Sequence, residues 1–131
     1  MTKDADTVHG LMTSPVVTVT AGDPVRAAIG KMLENDIGSV VVVEEGAPVG
    51  IFTERDLTRR VLDDDILLDR PVGDVMAGPP VTVGVATEVV EAFALMDKDD
   101  IRRLPVVADG RLVGIVTEGD LRRWVGRVAK E

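Results

Sequence analysis

The sequence predicts an α+β fold in which two pseudo-symmetric units, each strand–helix–strand–strand–helix, pack into one module. Three observations carry this. The chain overlays on itself without a gap when displaced by about 64 positions. Within each copy, continuous apolar runs typical of buried strands give way, at matching places, to the three-and-four spacing of a helix face. The core material is rich in Val and poor in aromatics, with two Phe, one Trp and no Tyr, and β-branched side chains suit a pleated surface.

The repeat is explicit residue by residue. Met12, Pro15, Val17, Thr18 and Val19 lie over Met76, Pro79, Val81, Thr82 and Val83. Asp36 and Ile37 lie over Asp100 and Ile101, and Gly50, Ile51, Thr53, Asp56 and Leu57 over Gly114, Ile115, Thr117, Asp120 and Leu121. Roughly four positions in ten match between 12–61 and its mate, far above chance for an ungapped overlay. Copy one is placed at 8–62, an acidic linker closed by Pro71 at 63–71, and copy two at 72–125. A single copy of that size buries too little surface to be stable alone, so the two are expected to share their stability.

Each element follows in order. Val16–Val19 and Val81–Val83 are the first strands. Asp23 is the expected N-cap of the next helix, with Pro24 at its first position, and Val25, Ala28, Ile29, Met32 and Leu33 form its apolar face. In copy two Thr87 takes the cap and Val89, Ala92, Phe93 and Met96 the face. Ser39–Val43 is apolar enough for a strand covered on both sides. A turn at Glu44–Gly46 leads to Val49–Phe52, and the Asp109–Gly110 hairpin signal joins Leu104–Val107 to Leu112–Val116. The last helices begin near Thr53 and Thr117 and carry Leu57, Val61 and Leu62, or Leu121, Trp124 and Val125. Trp124, which replaces Arg60, is expected over the core or a dimer face. Residues 1–8 read as a frayed tail.

Composition narrows the function. With 23 acidic and 15 basic residues the formal charge is −8, which argues against a nucleic-acid partner. The absence of cysteine removes disulfides, thiol nucleophiles and thiolate metal sites. His9 is the only histidine, so no metal site is expected. The acidic N-terminus is not a signal peptide, and no run approaches the ~18 apolar residues of a membrane span, so a cytoplasmic protein with no membrane partner is expected. No nucleophile–base constellation is evident, and no enzyme is expected.

The strand pair ending in Gly-hydrophobic-hydrophobic-Thr-x-x-Asp, with Met-x-x-Pro ahead of each copy, resembles the CBS domain, and the tandem resembles a CBS domain pair, or Bateman module. The likeness covers about residues 8–125. It implies a stand-alone regulatory module with two clefts between the copies. Those clefts would bind adenosine-containing ligands (AMP, ADP, ATP or S-adenosylmethionine) as regulatory rather than obligatory cofactors. It also implies a homodimer and an effector protein acting in trans.

The resemblance maps onto particular residues. Asp56 and Asp120 would accept hydrogen bonds from ribose hydroxyls, with Thr53 and Thr117 close to ribose or phosphate. A carboxylate at a helix start can indeed accept two hydroxyl donors, but Thr-x-x-acid is also close to a capping box, so both readings stand. Val16–Val19 and Val81–Val83 would sandwich a purine, with Val19 and Val83 lining the cleft and Thr18 and Thr82 its polar members. Arg102 and Arg103, where copy one has Gly38 and Ser39, would contact phosphates, or else balance Asp97, Asp99 and Asp100. Arg55, whose mate is Gly119, makes the two motifs unequal, while Arg59, Arg122 and Arg123 are expected to face solvent. Gly50 and Gly114 either admit a ligand's close approach or are packing glycines. The alternative to a nucleotide sensor is a ligand-free dimerising scaffold that binds a protein partner.

Overall fold

The computed structural model describes residues 6–130. They form two compact units, one of residues 17–80 and one a composite of residues 6–16 with 81–130. The 17–80 unit contains β1 (Thr18–Thr20), α1 (Val25–Asn35), β2 (Ser39–Glu44), β3 (Ala47–Thr53) and α2 (Glu54–Arg60). The composite unit repeats the order with β4 (Val83–Gly84), α3 (Val89–Asp99), β5 (Arg103–Ala108), β6 (Arg111–Thr117) and α4 (Glu118–Ala129). The α+β class and the duplicated strand–helix–strand–strand–helix order are therefore as the sequence predicts.

In each sheet the middle strand pairs parallel with the first and antiparallel with the third. Val40, Val41 and Val42 are all buried. Successive strand residues point to opposite faces, so this strand is covered on both sides. The hairpins turn on Glu45–Gly46 and Asp109–Gly110, all four at positive φ. Their backbone twist then matches that of the strands they join. Val25, Ala28 and Met32 of α1 pack with Val40, Val42 and Phe52, and Val89, Ala92 and Met96 of α3 pack with Leu104, Val106 and Val116.

The lead turns are exchanged between the sequence copies. In the composite unit Val8 is fully buried, Thr7 bridges Glu88, and Thr13 pairs with Ile115. Correspondingly, Val72 and Val75 join the core of the 17–80 unit, and Ala77 pairs with Ile51. The linker is structural too: Leu67 lies in that core, and the Arg70 carbonyl accepts the Val25 N–H at 2.9 Å. An ion pair between Arg70 and Asp64 braces it. Arg70 holds the Asp64 carboxyl below its ordinary range, chiefly by hydrogen bonding.

Several expectations need correction. Asp23 and Thr87 do not cap the helices; the caps are Pro24 and Glu88. Instead Asp23 Oδ2 accepts the Thr20 N–H and Thr87 Oγ1 the Gly84 N–H, closing the turn before each helix. Leu33 is 78 % exposed and Leu62 90 % exposed, because α1 turns its far edge to solvent and α2 ends at Arg60. Val61 and Val125 are also exposed, whereas Trp124 packs against the composite core. The first strands are shorter than expected and begin at Thr18 and Val83. Of the expected frayed tail, residues 1–5 lie outside the described residues, while Thr7 and Val8 are tied into the composite unit.

Candidate functional site

Each Thr-x-x-Asp motif sits where a sheet's third strand becomes a helix. Thr53 ends β3 and caps α2; Thr117 ends β6 and caps α4. Both form complete capping boxes. The Thr53 N–H and hydroxyl both donate to Asp56 Oδ2, at 2.9 and 3.1 Å, and Thr53 Oγ1 accepts the Asp56 N–H at 3.3 Å. In α4 the corresponding distances are 2.8, 3.0 and 3.3 Å. The first helical N–H groups, of Glu54 and Glu118, donate to the Gly38 and Arg102 carbonyls. These bonds satisfy backbone donors that a helix start otherwise leaves unpaired.

A carboxylate has two oxygens, and the capping box uses one. Here the copies diverge. Asp56 is half-buried, and among the described residues its Oδ1 has no hydrogen-bond partner. Asp120 is 7 % exposed, and its Oδ1 is taken by an ion pair with Arg123. Asp56 thus keeps a wholly unused oxygen beside its helix start, whereas Asp120 shares its second oxygen with a guanidinium and any further donor must fit beside it. Arg123 faces solvent over most of its side chain, as its sequence position predicts, but its tip is tied to Asp120.

Around the motifs the other candidates sort by partner. Arg103 is half-buried on β5 and lies directly across from Thr117 in the ladder, as Ser39 lies across from Thr53. Arg102 is exposed and engages Glu118 at 3.7 Å, which Arg122 also pairs at 2.8 Å. The partner of Arg102 is thus Glu118 rather than Asp97, Asp99 or Asp100. In copy one the absence of a side chain at Gly38 leaves the room that Glu54 occupies. Arg55 is exposed at the second position of α2, with no ion-pair partner among the described residues.

Val19 and Val83 turn their side chains into the two cores, so only their backbone is left to meet a base. Thr18 is half-buried, and its carbonyl accepts Lys31 Nζ at 2.6 Å; Thr82 is half-buried just before β4. Gly50 and Gly114 are packing positions. A Cβ on Gly50 would lie 2.3 Å from Met76 Sδ, and one on Gly114 2.4 Å from Met12 Sδ. What closely approaches these glycines is the methionine of a lead turn.

Sequence reasoning missed one feature. A cavity of about 450 Å³ opens in the composite unit between the Gly10–Leu11 turn and α4, lined by Asp120, Arg123, Gly126 and Arg127 of that helix and by Lys130 at its C-cap. Comparing the copies beyond their matching core would have shown its charge, though not its volume, because Gly10 and Arg127 stand where the other copy has Asp74 and Asp63. Among the described residues no group of three or more His, Asp or Glu is arranged to hold a metal ion, and no helix is long and apolar enough to cross a membrane.

Comparison with known proteins bears on both copies. Residues 6–63 and 72–127 match the model of the CBS domain. A Methanopyrus kandleri protein is 45% identical over 109 residues, covering 79% of this chain and 56% of that protein. The chain therefore spans little more than half of that relative. The CBS domain-containing protein YhcV of Bacillus subtilis is 35% identical over 114 residues, covering 87% of this chain and 81% of YhcV. Among solved structures, that of CBSX2 in complex with AMP superposes with a TM-score of 0.81 at 29% identity, over 95% of this chain and 98% of that one.

Proposed function

The chain belongs to the CBS domain family, and from that premise we propose that it is a regulatory module that senses an adenosine-containing nucleotide through its Thr-x-x-Asp motifs. The observation that carries this reading is the free Oδ1 of Asp56. The capping box fixes the carboxylate by its other oxygen and so presents a rigid acceptor, of the kind a ribose hydroxyl needs. The AMP held by CBSX2, a protein of similar fold, supports the same ligand class. In this proposal Asp56 takes the ribose, Thr53 holds Asp56 in place, and the backbone of β1 beside Thr18 and Val19 meets the base. Asp120, Thr117, Thr82 and Val83 form the weaker counterpart, where a ribose hydroxyl shares the second oxygen with Arg123. Arg55 and Arg103 are the cations for phosphates, since Arg102 is held by Glu118. A cytoplasmic homodimer signalling to an effector in trans completes the proposal.

A second reading, the protein-binding scaffold, draws on the exposed apolar run of Val61, Leu62, Ile66 and Leu68. One experiment separates the two. Thermal unfolding is followed with adenosine, AMP, ADP, ATP, S-adenosylmethionine and NADH, with GTP as control. A ligand at about 100 times its Kd stabilises the native state by roughly 2.7 kcal/mol. Asp56→Ala is expected to remove most of that response and Asp120→Ala less. No shift with any adenosine compound, on nucleotide-free protein, favours the scaffold.

A further inference from the structure

We propose that the groove between α4 and the Gly10–Leu11 turn of the composite unit is an oligophosphate-binding site. It borders the weaker motif, sharing Asp120 with it, and it uses none of the Asp56 contacts on which the ribose reading rests. Its volume of about 450 Å³ falls within the roughly 300–1,000 Å³ of small-molecule sites. Arg123, Arg127 and Lys130 line it. Arg123 and Arg127 lie one turn apart on α4 and Lys130 caps its C-terminal end, so the three follow one side of the helix over roughly 10 Å. Asp120 is the single acid in the lining. Among the described residues Arg127 and Lys130 have no carboxylate partner.

The repeat supplies the control. The sequence mates of Asp120, Arg123, Arg127, Lys130 and Gly10 are Asp56, Arg59, Asp63, Ile66 and Asp74. One copy therefore sets three cations against one acid, and the other three acids against one cation. A basic strip is not a by-product of the fold, nor of composition in a chain of charge −8. Gly126 points the same way. Gly is a poor helix former, and a Cβ at this position would meet nothing within 4 Å. Packing does not require glycine there, and its effect is to keep the groove open. Guanidinium forks match phosphate oxygens in pairs, and cations strung along an axis suit an anion carrying several phosphates. Such an anion is either the tail of a nucleotide or a free inorganic chain.

The test is calorimetric titration of the full chain with tripolyphosphate, ATP and adenosine, with helicity checked by circular dichroism. Tripolyphosphate is expected to bind, less tightly as salt rises. The double variant Arg127→Ala/Lys130→Ala should weaken it by about tenfold or more, the loss expected for removed charge-assisted bonds. Gly126→Leu, which fills the groove while favouring the helix, should weaken it as well. Asp120→Asn removes the one repelling charge and should strengthen it. No binding of tripolyphosphate to the wild-type chain, or unchanged affinity in both the double variant and Gly126→Leu, overturns the proposal. If ATP loses affinity by the same factor in the double variant, the occupant is a nucleotide tail. If only tripolyphosphate does, it is a free phosphate chain. Adenosine binding lost in Asp56→Ala with tripolyphosphate binding intact separates this site from the ribose contacts, and the failure of either leaves the other standing.

Discussion

Substituting alanine at the two matched strand glycines should give unequal losses of stability, although the positions look equivalent in sequence. At Gly114 the three nearest atoms to the new methyl would all belong to the Met12 side chain, with Sδ at 2.4 Å, Cγ at 2.8 Å and Cβ at 3.1 Å. At Gly50 it would meet Met76 Sδ at 2.3 Å and also the backbone carbonyl of Ala77 at 2.7 Å. Carbon contacts relax only near 3.5–4.0 Å, so both sites are overpacked. A methionine chain has three rotatable bonds and can swing aside. The Ala77 carbonyl cannot, because it is held in a two-way pair with Ile51, with N···O distances of 3.0 and 3.4 Å. Overpacking costs about 1–3 kcal/mol. The flexible site should fall near the low end and the backbone-blocked site near the high end. Any gain from replacing glycine in a strand is common to both and cancels. The expected difference of about 1–2 kcal/mol corresponds to a urea midpoint shift of roughly 0.5–1 M. Circular dichroism reads both units, while the single tryptophan, Trp124, packs in the composite unit and reports on that unit. Adding Met12→Ala removes the two shortest contacts and should restore most of the loss at Gly114→Ala, whereas adding Met76→Ala leaves the 2.7 Å carbonyl contact and should restore less at Gly50→Ala. Equal losses at the two glycines, or rescue at Gly50 as complete as at Gly114, would refute the role assigned to the Ala77 carbonyl.

Two further outcomes follow from the caps and the linker. Thr53→Ala and Thr117→Ala each remove a capping side chain, which costs about 0.5–2 kcal/mol. The loss should be larger at Thr117, because Asp120 is nearly buried and loses a donor, and chemical denaturation measures the order. The Asp64 carboxyl is held low by Arg70, so it stabilises the folded state above its unfolded pKa of roughly 4. That contribution disappears as pH falls through the lower folded value. Asp64→Asn should therefore reduce stability near neutrality and flatten the fall between roughly pH 4 and lower pH, as read from Tm against pH; an unchanged acid limb would show that the pair does not brace the linker.

The Thr-x-x-Asp motif also shows why a capping role and a binding role need not compete. One oxygen of Asp56 serves the helix and the other remains free. Read from sequence, the two roles stood as alternatives because a motif does not say which oxygen is used. In the other copy Arg123 takes the second oxygen. Nothing in the match between Arg59 and Arg123 foretells that, since the same residue type stands at both positions.

Features that local pattern controls can be read from the chain directly. The apolar runs at Val40–Val43 and Leu104–Val107 become the central strands, the spacing of Val25, Ala28 and Met32 makes a helix face, and Asp109–Gly110 makes a hairpin. The Thr–Asp caps form within four residues, and the duplication states the fold twice. The tertiary structure decided what depends on distant partners. Thr13 pairs with Ile115 and Ala77 with Ile51, yet the lead turns resemble each other so closely that the chain offers no local signal for which body each docks on. The same holds for Asp23 and Thr87, drawn back to close turns, for Leu33, left at the outer edge of its helix, and for the glycines under Met12 and Met76. Each outcome is set by which surfaces meet after the chain has closed long loops, and short-range periodicity cannot encode that.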